Sequence, residues 1–251
     1  GEASVIIDLP DNLDAKLIQT RREDLDVPQF QGTKTNVAYD ATTNSLNLTG
    51  TGQFDSITDF DAENSIDDIG GISPLGTYEF GGTPGGTTFD LGDVFSLDLK
   101  RHFLTEAFFP SDLFDSIPDL DARGDFDGLT ATKVNAEMLV RVTQDDPNSG
   151  SPTYTAFQTF ANGTYKGRGF QFKVNLTSND PAQDIRVFQL GYTASMQRRT
   201  EQSSATIASG AGAKAISFQH GFFVGTANTQ GGVNSSLPSI GITAQNMQSG
   251  D

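Results

Sequence analysis

The chain of 251 residues contains no cysteine and no tryptophan. Without cysteine there is no disulfide framework and no thiolate metal site, which fits a bacterial or viral product folded in a reducing cytosol. Without tryptophan the ring that sugar-stacking platforms favour is missing. Histidine is nearly absent too, with only His102 and His220. A Ser–His–Asp triad assembles in space, so their separation excludes nothing. No G-x-S-x-G turn accompanies them, however, and His102 lies in a Lys100-Arg101-His102 run that reads as a strand end. Neither histidine is assigned a catalytic role. Long apolar runs are also missing: nothing approaches the ~20 residues of a membrane span, and the first residues show neither a basic region nor an apolar one. The expectation is a soluble chain. The Gly81-Gly82-Thr83-Pro84-Gly85-Gly86 stretch lacks the Gly-Lys-Ser/Thr ending of a phosphate loop and reads as a connection.

Positive charge is scarce. Lys and Arg total 16 against 32 Asp and Glu, a formal charge of −16. Residues 1–128 hold 25 acids and 7 bases, whereas 129–251 hold 7 acids and 9 bases. Such a field repels a phosphate backbone, so no nucleic acid partner is expected; its ordinary meaning is a hydrated exterior. The acidic stretches FDSITDFDAENSIDDIGG (54–71) and PSDLFDSIPDLDARGDFDG (110–128) invite a calcium reading, because that ion takes hard oxygen ligands. The nearest approach to an EF-hand loop starts at Asp119, with Asp121 and Gly124 in phase. It fails at Arg123, where an oxygen ligand belongs, and at Thr130, where a bidentate Glu belongs. Calcium in a β-sandwich loop stays open with no ligands assigned. Carboxylates are too abundant for any pair to mark a glycosidase. Lys166-Gly167-Arg168 and Arg198-Arg199 are small basic spots, expected to pair with local carboxylates or cap strand ends. The N-x-[ST] matches at Asn47, Asn162, Asn175 and Asn234 read as chance.

What the chain does have is alternation. In the stretch Tyr165 to Arg199, Phe170, Phe172, Val174 and Leu176 alternate with Gln171, Lys173 and Asn175, a period of two that puts the apolar set on one sheet face. Ser178-Asn179-Asp180-Pro181 is turn chemistry. A second run through Ile185, Val187, Phe188, Leu190, Tyr192, Ala194 and Met196 changes parity at Val187-Phe188, which predicts either a β-bulge or a strand covered on both faces. The pair reads as the closing hairpin of a sandwich. Lys133 to Val142 alternates in the same way, with Asn135, Glu137 and Arg141 on the polar side. Val37 and Tyr39 answer Leu46 and Leu48 across a 40–44 loop, a hairpin pattern. Residues 3–9 and 94–99 read as strands, and the apolar pattern resumes over 103–109. Ser73 to Gly86 reads as a long loop around the short Tyr78-Glu79-Phe80 run. Val27 before Pro28 is expected to be extended, and Asn162-Gly163 marks a turn. No window of a dozen residues carries a helical stripe. After Arg199 a small-residue segment reads as a linker over 201–214, and 215–251 as the start of a further, incomplete β module.

The segment GRGFQFKVNLTSNDPAQDIRVFQLGYTASMQRRTEQ resembles a recurrent segment in the tail tip attachment proteins of lambda-like long-tailed phages, the J-type host specificity or central tail fibre proteins. DLDVPQFQGTKTNVAYDATTNSLNL, the FDSITDFDAENSIDDIGG run, GTYEF followed by FDLGDVFSLDLK, and VRVTQDDPNSGSPTYTAFQTFANGTYKGR are similar in style, so the likeness spans roughly 5–200. The closing strands also resemble those of galactose-binding-like (discoidin-type) jelly rolls. ISFQHGFF and SIGITAQNMQSGD are similar to the start of H-type-lectin-like domains.

The resemblance implies an all-β chain: a jelly-roll sandwich over 1–200, the linker, and a partial H-type-lectin-like module over 215–251. It implies a non-enzymatic virion protein at the distal tail, a homotrimer that meets other tail tip proteins and a host cell-surface receptor or glycan. The family supplies no invariant catalytic set, so no catalytic or cofactor-binding residue is carried over and no cofactor is expected. The alternatives are a free carbohydrate-binding module, with or without calcium, and a polysaccharide depolymerase.

Overall fold

A computed structural model describes residues 2–6, 16–50, 72–108, 132–180, 183–196, 207–208, 213 and 241–245. The expectation of an all-β chain holds: the described residues form strands and turns, with no helix among them. The 54–71 and 110–128 acidic stretches, Asp119 to Thr130, His220, Arg198-Arg199 and Asn234 lie outside them.

The main sheet is antiparallel throughout. In chain order its strands are β2 (Lys16–Arg22), β3 (Thr33–Thr35), β4 (Val37–Asp40), β5 (Ser45–Leu48), β6 (Leu75–Phe80), β7 (Phe89–Phe108), β8 (Val134–Thr143), β9 (Gln158–Thr159), β10 (Gly163–Ser178) and β11 (Asp184–Met196). Neighbours run β3-β6-β10-β7-β11-β5-β4, with β8 on the other edge of β10, β9 beyond it, and β2 on β11. The 20-residue β7 links two halves, pairing its first part with β10 and its second with β11. At the other side, β3 and β4 are one chain segment broken at Asn36, which has φ 52°. Asn36 holds that corner: its carbonyl accepts from Thr49 N (3.0 Å) and its side-chain amide donates to Leu75 O (3.1 Å). Because β3 pairs with β6 and β4 with β5, the sheet turns back on itself into a nearly closed sandwich.

The expected 37–48 hairpin forms, with Val37 opposite Leu48 and Tyr39 opposite Leu46. The parity change at Val187-Phe188 is a β-bulge, where the β11 to β7 register slips between Val187 and Gln189. Three readings are corrected. The strands β10 and β11 do not form a hairpin with each other, because β7 lies between them; their alternation reports a buried face and is silent about which strand covers the edge. Lys100-Arg101-His102 lies inside β7, where His102 faces Gly191, not at a strand end. Tyr78-Glu79-Phe80 belongs to a six-residue strand whose apolar face enters the core, and the Gly and Pro around it hid that.

Rings from four strands, with Phe160 just after β9, fill the interior. Phe172 stacks on Tyr192 at 4.2 Å between centroids, Phe80 lies 5.4 Å from Phe172, Phe89 lies 5.4 Å from Tyr192, and Phe160 lies 5.5 Å from Phe172. All five are buried, and each such pair adds about 0.5–1.5 kcal/mol beyond its buried area. Leu46, Leu97, Leu99, Met138, Val140, Val174, Leu176, Val187 and Leu190 are among the buried residues that pack around them. Gly191 sets the approach of β2 to β11: a Cβ there would lie 1.9 Å from the Arg21 carbonyl oxygen.

A second sheet joins distant parts of the chain. β1 (Glu2–Ile6) pairs antiparallel with β13 (Gly241–Gln245), and its first two residues pair with β12 (Ile207–Ala208). The strand expected to open the first sandwich thus pairs with one from the segment expected to form a separate module.

Candidate functional site

Two polar constellations stand out, one buried and one on the surface. The buried one follows β2. Glu23 N donates to Leu190 O at 2.8 Å, and Phe30 N returns to Glu23 O at 2.9 Å, so residues 23–30 close as a loop against β11. The Val27–Pro28 peptide within it is cis. Beneath the loop, the Arg21 guanidinium donates from Nε to Glu23 Oε1 (2.6 Å) and from Nη1 to Asp26 Oδ2 (2.7 Å). The Tyr78 hydroxyl donates to Glu23 Oε2 and accepts from Gly32 N at 2.7 Å. Arg22 forks onto Asp24, with 3.0 Å and 2.7 Å contacts, and Asp24 in turn accepts from Leu190 N.

Arg21, Glu23 and Asp24 are each at most 4% exposed. Burial pushes the Glu23 carboxyl up from its ordinary value, and the hydrogen bond from Tyr78 and the charge of Arg21 pull it back. Burial and the Glu23 charge together push the Tyr78 phenol far up, so it stays protonated. Burial lowers the Lys34 ammonium, with Glu23 opposing. Lys34 donates to Phe30 O and sits 5.7 Å over the Tyr78 ring. Chemically this is a clasp. The hydroxyl of Tyr78 already both donates and accepts, and Glu23 is held between Arg21 and Tyr78, so the network fastens the 23–32 loop to β6 and β11 and offers no poised acid or base.

His102 shows the same character. Its Nε2 meets Thr193 Oγ1 at 2.8 Å, and Thr193 meets Thr20 at 3.3 Å. Burial, then Arg22 and Lys100, lower its pKa. The described contacts thus tie His102 into the β7–β11–β2 face. Arg168 pairs with Asp90 (3.2 Å) and Asp146 (2.9 Å), as expected for a local partner of carboxylates. No group of three or more His, Asp or Glu able to hold a metal ion occurs among the described residues.

The surface constellation lies on the outer face of β8, β10 and β6. Arg141 sits directly opposite Gln171, and Lys173 opposite Glu79. Arg141 Nε donates to Gln171 Oε1 at 2.7 Å, and Gln171 Nε2 donates to Thr88 Oγ1 at 2.8 Å. The Arg141 guanidinium lies 4.8 Å from the Tyr154 ring centroid and 4.5 Å from that of Phe157. Lys173 Nζ sits 4.8 Å from the Phe157 centroid and pairs with Glu79 at 2.8 Å. The 154–160 segment delivers the two rings because it runs along the β8 edge: Thr155 N donates to Val142 O, β9 pairs with Leu139 and Val140, and Phe160 N donates to Met138 O. Phe160 turns inward as Phe157 turns out. The Tyr154 hydroxyl is buried without a partner.

Sequence reasoning placed Arg141 on the polar side of one strand, and Gln171 and Lys173 on that of another. It did not single them out, because the register that sets 141 against 171 leaves no local signal. Tyr154 and Phe157 carried none either. No family model, curated protein or solved structure matches this chain.

Proposed function

We propose that this chain is a structural and adhesive component of a phage tail tip or central tail fibre, working as a homotrimer that presents recognition surfaces to a host envelope. The resemblance of residues 5–200 suggests the setting. The single observation that carries the adhesive part is the outer face of β8 and β10, where Tyr154, Arg141, Phe157 and Lys173 form a laterally anchored ladder. Rings and guanidinium groups of this kind make good contact surfaces because little side-chain freedom is lost when a partner arrives. The stiffness of the support helps: β8 is paired along one edge with β10 for ten residues, and β10 is paired along both edges.

Trimerisation supplies the physics of attachment. Three weak contacts around one axis become one stable one where the geometry lets them engage together. Light scattering on a sizing column tests this, together with pull-down on bacterial envelope preparations. A trimer that binds envelope is the expected result. A monomer that binds purified glycans favours the second reading, a free carbohydrate-binding module, for which the same Arg141 face speaks. A monomer that binds neither envelope nor glycan overturns both.

A further inference from the structure

We propose that Arg141 is the centre of a carboxylate-binding site for an acidic sugar, a uronic-acid type of residue, on the outer face of β8 and β10; this rests on the adhesive reading and names its ligand class. The guanidinium is held on three sides. Tyr154 and Phe157 flank it at 4.8 and 4.5 Å, and Gln171 takes the Nε hydrogen at 2.7 Å. Gln171 is itself oriented by its donation to Thr88 Oγ1. Among the described residues no acceptor meets either terminal nitrogen of Arg141, although Glu79 and Glu137 occupy the same sheet face. Those carboxylates are engaged elsewhere, Glu79 by Lys173 and Glu137 by the Thr159 hydroxyl. An arginine fixed at Nε and stacked on aromatic rings presents its two Nη groups as a fork. A carboxylate fits that fork with two parallel hydrogen bonds.

The surroundings select the kind of carboxylate. Gln171 meets the arginine and Thr88 meets Gln171, both uncharged, and the neighbouring Lys173 is already neutralised. One charge beside neutral hydrogen-bonding groups suits a sugar bearing one carboxylate among hydroxyls. A densely charged partner meets instead the repulsion of a chain carrying −16. The aromatic faces hold cations, so affinity comes from the fork and not from stacking of a sugar ring, which agrees with the absence of tryptophan.

The test uses the full chain with D-glucuronate, followed through the Arg141 Nε–H and Gln171 side-chain amide signals by NMR titration, with glucose, acetate and a Glu-containing tetrapeptide as comparisons. Glucuronate is expected to shift both signals, glucose not at all, and acetate at least tenfold more weakly. Arg141→Ala and Arg141→Lys are each expected to weaken glucuronate binding at least tenfold, since lysine keeps charge and loses the fork. Thr42→Ala, exposed in the loop between β4 and β5 and away from this site, is expected to bind as the parent does, and backbone amide signals of β8 and β10 unchanged in the two Arg141 variants report that the face remains folded. Glucuronate binding unchanged in Arg141→Lys overturns the fork. Displacement by the tetrapeptide at equal or lower concentration overturns the sugar assignment. If Arg141→Ala still binds envelope as the parent chain does, this site falls while the adhesive reading stands; if the parent binds neither glucuronate nor envelope, both fall.

Discussion

Replacing Tyr78 by Phe tests the buried clasp most directly. The ring stays and its packing against Phe30 and Phe80 is retained, at 6.0 and 5.9 Å between centroids. What disappears is one oxygen with two duties. Glu23 Oε2 loses its hydrogen-bond donor, and Gly32 N loses its acceptor. The first is a hydrogen bond to a charged group, about 1.5–3 kcal/mol, and the second leaves a buried N–H orphaned at about 1–3 kcal/mol. A total loss of about 2.5–6 kcal/mol is expected, a large fraction of the ~5–15 kcal/mol that holds a typical domain together. The pH dependence identifies the cause. Burial already raises the Glu23 carboxyl above its ordinary value, and, together with the charge and hydrogen bond of Arg21, the hydrogen bond from Tyr78 opposes that. Without it the folded-state pKa rises further, so the folded chain holds a proton that the unfolded chain has released. Stability then falls more steeply with rising pH than in the parent. Urea unfolding followed by circular dichroism at pH 5 and pH 8 measures both effects, and the deficit of Tyr78→Phe should be larger at pH 8. A deficit below 1 kcal/mol, or one equal at the two pH values, would falsify the account of Tyr78 as a group that holds the Glu23 carboxyl down against the effect of burial.

Two further expectations concern the walls of the sandwich. Asp184 is buried, and burial pushes its carboxyl up to about 6 although Ile185 N and Leu48 N both donate to it. The fold therefore favours the protonated form: stability is highest below the unfolded value near ~3.9, declines as pH rises towards about 6, and is flat above. Asp184→Asn keeps an acceptor for both amides and should remove that decline, gaining at most about 3 kcal/mol at pH 7 by the same linkage. A denaturation series from pH 4 to pH 8 checks it, and an unchanged slope rejects it. Gly191→Ala should destabilise strongly, by several kcal/mol, because the added methyl would meet backbone at 1.9 Å and drive β2 away from β11. Thermal unfolding reads the loss, and amide exchange at Thr20 to Arg22 should rise with it; a melting point equal to the parent's would show that β2 relaxes without cost.

Much of the architecture is legible without coordinates, and the reason is local. The alternation of Phe170, Phe172, Val174 and Leu176, the Val37/Tyr39 against Leu46/Leu48 pattern and the parity change at Phe188 are properties of neighbouring residues, and a pleated strand converts them directly into faces and a bulge. The absence of a helical stripe likewise decided the all-β class. The charge imbalance and the missing cysteines are compositional and need no fold.

Partnership between distant residues was decided only by the tertiary structure. Nothing near Phe170 says that β7 lies between β10 and β11. Nothing near Glu2 says that β1 pairs with β13, because any alternating strand has an edge that many others satisfy. Arg21 and Glu23 belong to the charged run from Arg21 to Asp26, and nothing local marks them as buried; they are, since Tyr78, 55 positions away from Glu23, completes their hydrogen bonding. Arg141 reads as one more polar residue on a half-exposed strand until the register brings Gln171 beside it and the β8 edge delivers Tyr154 and Phe157. A short-range pattern sets which face of a strand is apolar; which polar groups meet across that sheet depends on register and chain crossing, and those are settled by packing of the whole.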